Sequence, residues 1–255
     1  MRQQRHREIV RRLEADGATS VDELARSLGV SASTIRRDLQ GLDHNGRLVR
    51  VHGGALIARD DGTDADVDRP FGDVVTVDAP AKLAVARCAA TLVSDGDAVL
   101  LDIGTTTQQL ARELRGRRIT VMTASLAVLD VLRDDPTVEL VLLGGFVRRT
   151  YHSLTGVLTE DALRQVHADI AFLGAAGVRR DGEVLDTTLV EVPVKRALLR
   201  ACDRAVLLAD EHKLPGSGSL RVCGAADLDA LVTNEGADPL TLQAFRDEGV
   251  DVMTA

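Results

Sequence analysis

Two groups of residues in this chain of 255 residues carry chemistry that the rest of the sequence must position. The first is Ser31, Ser33, Thr34, Arg36, Arg37 and Gln40, within VSASTIRRDLQGL (30–42). A guanidinium presents a planar fork of donors that matches phosphate oxygens and base edges, and hydroxyl and amide side chains add short-range contacts. The second group is dispersed through the rest of the chain. It comprises Asp102 with Gly104, Thr105, Thr106 and Thr107, then Thr123 and Ser125, Gly144 and Gly145, Ser153, Glu191 with Lys195, and Asp210 with Lys213. Glycine lets backbone approach a ligand closely, while hydroxyls and the free amides of a helix start receive the oxygens of an anion.

The first group requires a helix. Ser31 is its expected N-cap, and Ile35, Leu39 and Leu42 recur at i, i+4 and i+7, which buries one stripe and turns Ser33, Arg36, Arg37 and Gln40 outward. VDELARSL (21–28) reads as a preceding helix with Val21, Leu24, Ala25 and Leu28 on one face, stopped by Gly29 in a left-handed turn. Two short helices joined by a tight glycine turn form a helix-turn-helix unit, whose second helix suits the major groove of DNA. Ahead of them, 2–15 has amphipathic helical spacing with Ile9, Val10 and Leu13 inward, and 18–20 is a short extended piece. After them, RLVRVHGGALI (47–57) reads as two extended pieces around Gly53-Gly54, a wing from which Arg50 and His52 reach DNA. Residues 1–58 are thus expected to form a winged helix-turn-helix DNA-binding domain.

Residues 59–79, rich in Asp and Gly, have no sustained period and read as a linker. From residue 80 to 255 short β-rich runs alternate with amphipathic segments. The runs are 98–101, 119–122, 139–143, 170–173, 205–208, 230–232 and 250–253, and helical spacing falls at 82–92, 107–114, 126–133, 159–165, 192–201 and 240–248. Apolar strands alternating with helices imply an α/β domain with a mostly parallel sheet covered on both faces. Such sheets bind ligands at the carboxyl ends of their strands, where much of the second group falls. Two of the three lysines stand there as cations suited to an anion.

Composition fits this division. The net charge is −8, but residues 1–58 hold ten Arg against seven Asp and Glu, a balance of +3 that leaves −11 for the remainder. The first segment is therefore the nucleic-acid candidate. Cys88, Cys202 and Cys223 lack metal-ligand spacing, so no metal and no cofactor is expected, and inert thiols in a reducing compartment follow. No apolar run reaches the ~18 residues of a membrane span and no secretory core opens the chain, which predicts a cytoplasmic protein without a membrane partner.

VDELARSLGVSASTIRRDLQGLDHNGRLVRVHGGA resembles the N-terminal domain of the DeoR family of bacterial transcriptional regulators, and Lys82, DIGTTT, Thr123 with Ser125, Gly144-Gly145, Ser153 with Gly156, Glu191 with Lys195, and Asp210 with Lys213 resemble its C-terminal domain. The resemblance implies a winged helix-turn-helix joined to an α/β sensor domain with the fold of ribose-5-phosphate isomerase, glucosamine-phosphate deaminase and the CoA transferases. It also implies that this domain senses a phosphorylated sugar or related metabolite. Ala124 stands where the family usually has Asn, His212 where it has Ser, and the Arg usual after a Pro-Phe pair is absent after Pro70-Phe71. These departures bear on which effector is bound.

The expected function is a repressor-type regulator that binds double-stranded operator DNA as a homodimer or homotetramer and answers to a phosphosugar. Two other classes stand against it. A sugar-phosphate isomerase or deaminase would use Asp102, Glu191 or His152 to move a proton beside a carbonyl, and a protein-interaction adaptor would show no salt-sensitive DNA binding.

Overall fold

The structure, a computed structural model, describes residues 5, 6, 8, 9, 18–44, 48–51, 54–57 and 71–255. They divide into two compact units within Met1–Thr63 and Asp64–Ala255.

In the first unit, strand β1 (Ala18–Ser20) leads into α1 (Val21–Leu28), which is followed by α2 (Ala32–His44), β2 (Leu48–Val51) and β3 (Gly54–Ile57). Gly29, at φ +64°, takes the left-handed turn that ends α1, a conformation that disfavours any residue with a Cβ. The Ser31 hydroxyl accepts from the Thr34 amide at 3.2 Å and so caps α2. Ile35, Leu39 and Leu42 of α2 close on Val21 and Leu24 of α1 and on Ile9, forming the buried core of the unit. The strands pair antiparallel in the order β1-β3-β2, so the wing is a three-stranded sheet in which 18–20 supplies an edge that the sequence showed only as an extended piece. Val10, Leu13, His52 and Gly53 lie outside the described residues, as does 59–70 of the expected linker.

The second unit begins earlier than its hydrophobic periodicity suggests. Phe71–Val74 form a short helix, α3, and α4 runs Ala79–Ala90, so 71–79 is structured and not linker. Phe71 meets Tyr151 edge-on at 5.7 Å and stacks on His152 at 5.5 Å, aromatic contacts that sequence period cannot announce.

Beyond it the elements are β4 (Ala98–Leu101), α5 (Thr105–Glu113), β5 (Thr120–Thr123), α6 (Leu126–Leu132), β6 (Glu139–Leu142), β7 (Phe146–Arg148), β8 (Ser153–Thr155), α7 (Val157–Leu163), β9 (Ala168–Gly174), β10 (Gly177–Val178), β11 (Val184–Asp186), α8 (Val192–Leu199), β12 (Cys202–Leu208), β13 (Leu220–Cys223), β14 (Ala230–Thr233), α9 (Pro239–Asp247) and β15 (Asp251–Thr254). Seven strands form one parallel sheet in the order β15-β14-β12-β9-β4-β5-β6. Ile170 and Phe172 of β9 face a core shared with α4, α5 and α6, while Ala171 and Leu173 face the core beneath α7, α8 and α9. A strand covered on both sides is apolar at every position, which is why these runs show no alternation. The antiparallel hairpin β7-β8 and the small sheet β10-β11-β13 are additions that the sequence reading did not contain.

Candidate functional site

On α2 the exposed face carries Ser31, Ser33, Arg36 and Arg37, with Thr34 half-buried. The Ser31 hydroxyl meets those of Ser33 at 2.9 Å and Thr34 at 2.8 Å, which ties the polar residues at the helix start together. Arg36 and Arg37 make no hydrogen bond or ion pair among the described residues, so their donor forks face solvent. Asp38, between these arginines and the core, is 2 % exposed and binds Arg5 and His6. Burial pushes its carboxyl up, but the bonds from Arg5 and His6 outweigh burial and hold it below its ordinary value. This carboxylate thereby fastens the back of α2 to the N-terminal helical residues. Gln40 lies on α2 and Arg50 on β2, but their side chains, like all of His52, lie outside the described residues.

In the second unit the residues singled out by sequence gather at the carboxyl ends of the strands. Asp102, directly after β4, binds Lys195 of α8 through Oδ2, which also accepts from the Gly174 amide at the end of β9 at 3.1 Å. The Lys195 ammonium further donates to the Gly174 carbonyl at 2.9 Å and lies 3.6 Å from Asp186 at the end of β11. Burial alone would lower the pKa of this lysine, but Asp102, Asp186 and Glu191 overcome it and hold the ammonium above its ordinary value. Lys195 is thus a charged brace between three elements.

One helical turn earlier, Glu191 Oε1 binds Arg148 of β7 and accepts from the Ser153 hydroxyl at 3.3 Å. Burial pushes the Glu191 carboxyl up to about 7; Lys195 and Arg148 work against that shift, and Asp186 and Asp102 add to it. Ser153 is placed by its hairpin. The Leu126 amide donates to the His152 carbonyl at 2.8 Å and the Leu154 amide to the Ala124 carbonyl at 2.8 Å, so β8 docks on the loop after β5. In that loop the Thr123 hydroxyl donates to the Leu101 carbonyl at 2.7 Å and accepts from the Ser125 amide at 3.0 Å, while Ser125 caps α6 through the Val128 amide.

Three parts of the site keep unused hydrogen-bonding capacity. Gly104, at φ +136°, opens α5, and its carbonyl accepts from the Thr107 hydroxyl at 3.0 Å. Thr105 and Thr106 are each 6 % exposed, and their hydroxyls have no partner among the described residues. Asp210, after β12, is 2 % exposed and its carboxylate likewise has no partner among the described residues. Lys213 is half-buried and donates to the Ala175 carbonyl at 2.6 Å, beside the Gly174 carbonyl held by Lys195.

Gly144 and Gly145 have a different office. A Cβ at Gly145 would overlap the Thr159 hydroxyl and come within 2.9 Å of the Thr155 carbonyl, and the Thr159 hydroxyl donates to the Gly144 carbonyl at 2.8 Å. Their close approach seats the hairpin against α7. Lys82 is also structural here, donating to the carbonyls of Val74 at 3.2 Å and Val77 at 2.7 Å at the end of α3. The sequence reading missed Arg148 and Asp186. Each sits on a strand of three residues, too short for a periodic signal.

Burial raises the thiols of Cys202 to about 11 and Cys223 to about 12, keeping both protonated at neutral pH. Among the described residues no group of three or more His, Cys, Asp and Glu is arranged to hold a metal ion, and no helix is long and apolar enough to cross a membrane.

Residues 5–60 match the DeoR-like helix-turn-helix domain and residues 78–235 the DeoR C-terminal sensor domain. The chain is 32% identical to the HTH-type transcriptional regulator GolR of Listeria innocua, over 99% of this chain and 98% of that one. It is 28% identical to the glycerol-3-phosphate regulon repressor of Escherichia coli K12, over 98% and 97%, and 30% identical to the lactose phosphotransferase system repressor of Lactococcus lactis, over 96% and 95%. Among solved structures, ribose 5-phosphate isomerase A of Methanocaldococcus jannaschii is similar at 22% identity over 52% of each chain, with a TM-score of 0.39. With both of its domains matched, the chain belongs to the DeoR family of helix-turn-helix transcriptional regulators.

Proposed function

We propose that this protein is a cytoplasmic repressor of a carbohydrate-metabolism operon, which binds operator DNA through α2 and the wing and is controlled by a phosphorylated sugar held in the second unit. On the DNA side, Arg36, Arg37, Ser33 and Gln40 read the major groove, while Arg50 and His52 steady the wing on the backbone. On the effector side, the amides and hydroxyls of Thr105, Thr106 and Thr107 receive the phosphate, and Lys213 contributes positive charge. Asp210 accepts from the sugar hydroxyls, and Glu191, tied to Arg148 and Ser153, helps hold the shape of the site. Lys195, Asp102, Thr123, Ser125, Ser153, Gly144 and Gly145 hold the shape of the site.

The observation that carries this reading is the contrast within one site. Lys195, Asp102 and Glu191 are engaged with one another, with Arg148 and with backbone, whereas the Thr105 and Thr106 hydroxyls and the Asp210 carboxylate make no hydrogen bond among the described residues. That inventory, hydroxyls and amides at a helix start with a carboxylate after another strand of the same sheet, is complementary to a phosphate joined to a polyol. The relatives whose names refer to glycerol 3-phosphate and to a sugar phosphotransferase system support the same class. Control of DNA affinity requires only that the effector bind one conformational state more tightly than another.

A thermal-shift screen tests the proposal. Sugar phosphates of the right shape should raise the melting temperature and their unphosphorylated sugars should not. Lys213→Ala should raise the half-saturating concentration about tenfold, the loss of one charge-assisted hydrogen bond. Equal shifts from sugar and sugar phosphate would remove the phosphate from the reading.

A further inference from the structure

The turn that joins β7 to β8 touches both the candidate site and the start of the second unit. Arg148, the last residue of β7, and Ser153, the first of β8, are direct partners across the hairpin, so together they close the turn 149–152. Both reach Glu191 Oε1, Arg148 through its guanidinium and Ser153 through its hydroxyl at 3.3 Å. One buried carboxyl group thus holds both stems of the turn.

The turn in its own right grips Phe71. The Phe71 amide donates to the Thr150 carbonyl at 2.9 Å, and its ring meets Tyr151 edge-on and stacks on His152. Tyr151 belongs to both sets of contacts, because the Arg148 guanidinium lies 5.2 Å from the centre of its ring. Phe71 is the first described residue of the second unit and is buried, and the chain before it leads to the first unit. His152 holds a left-handed backbone at φ +50°, which a residue with a Cβ keeps only under constraint. Here the Leu126 amide fixes its carbonyl and Phe71 covers its ring. We propose that the turn 149–152 is a relay, with Glu191 as its input and Phe71 as its output, that passes the state of the effector site to the chain entering the second unit.

Charge around Glu191 supplies the input. Facing it are Arg148 on β7, Lys195 one turn along α8, Asp186 at the end of β11 and Asp102 after β4. Three carboxyl groups thus share two cations in a buried space, so an anion arriving nearby disfavours the ionised form of Glu191. Protonation removes the charge from its bond with Arg148, and charge-assisted bonds are about twice as strong as neutral ones. The stems of the turn then loosen, and the grip on Phe71 with them. That the anion is a phosphosugar rests on the function proposed above; the link from Glu191 to Phe71 does not.

Acid supplies the same protonation without a ligand, and the molecule carries its own reporter, since Tyr151 is its one tyrosine and it has no tryptophan. The tyrosine fluorescence of the full-length protein therefore reads this turn. It should change through a transition centred at about pH 7 as Glu191 takes up its proton. Glu191→Gln should abolish that transition, and His152→Gln, which removes the turn's own imidazole, should keep it. At about pH 8, where Glu191 is mostly charged, hydrogen exchange of the peptide spanning 71–77 should be about tenfold faster in Glu191→Gln than in wild type, with an unaltered circular dichroism spectrum. Arg148→Met, which breaks the same bond from its other end, should give the same acceleration. Wild-type fluorescence that is flat across neutral pH, a transition that survives Glu191→Gln or is lost in His152→Gln, or equal exchange at 71–77 in the wild type and both bond variants would overturn the relay. A thermal-shift screen in which no sugar phosphate binds would remove the effector reading and leave these results standing.

Discussion

The two units place the cations of their candidate sites in opposite environments. Arg36 and Arg37 are exposed and free of partners among the described residues, whereas Lys195 is 3 % exposed and bound to Asp102 and the Gly174 carbonyl. An exposed arginine keeps its hydration until a phosphate or base edge replaces it, so its contribution belongs to binding and is screened by salt. A buried lysine has already exchanged water for fixed acceptors, so its contribution belongs to the folded state. A cation in a candidate site is therefore not by itself a ligand contact. In the second unit the open positions are Thr105, Thr106 and Asp210, and the strongest charges are the frame around them.

Substitutions should separate the two kinds of cation. Lys195→Met should have the largest effect, because it leaves Asp102 and Asp186 buried without their counter-ion, a loss of about 3–5 kcal/mol. Chemical denaturation would measure it, and an unfolding midpoint within error of wild type would show that the brace is dispensable. Next in size is a pH effect. The Glu191 carboxyl titrates at about 7 in the folded protein against an ordinary 4.5. Between those values the folded state holds the proton and the unfolded chain does not, so this group's contribution to stability falls as pH rises through the window. Glu191→Gln cannot titrate. The stability of the variant relative to wild type should therefore increase from pH 4.5 to above 7, by up to about 3 kcal/mol. Parallel stability curves would contradict the assignment.

Arg37→Ala should have no measurable effect on unfolding but should weaken operator binding about 10- to 100-fold, the worth of one bidentate base contact. It should leave effector-induced thermal shifts intact. Loss of both functions would mean that Arg37 supports the fold.

Legibility in the sequence followed the length of each element and the number of its buried faces. α2 was readable from Ser31, Ile35, Leu39 and Leu42 because capping chemistry and a 3.6-residue period agree there. The seven strands of the main sheet were readable as apolar runs, with ends shifted by up to three residues; 119–122 became Thr120–Thr123 and 205–208 became Cys202–Leu208. The β7-β8 hairpin was not. Its strands have three residues each, and Phe146 and Val147 gave no alternation because both are exposed. Arg148 and Asp186 were lost with such strands. Phe71 went unread because its partners Tyr151 and His152 are distant in sequence, and its own surroundings are dominated by Asp and Gly.

On this reading a phosphosugar bound at the strand ends of the second unit should change the DNA affinity of the first. Fluorescence anisotropy of labelled DNA from upstream of the protein's own gene, titrated with protein in the presence and absence of each sugar phosphate, tests it directly. At least one sugar phosphate should shift the Kd for DNA by roughly 5- to 150-fold, and its unphosphorylated sugar should leave it unchanged. A sugar phosphate that saturates the protein in a thermal shift while the Kd for DNA stays constant would contradict it.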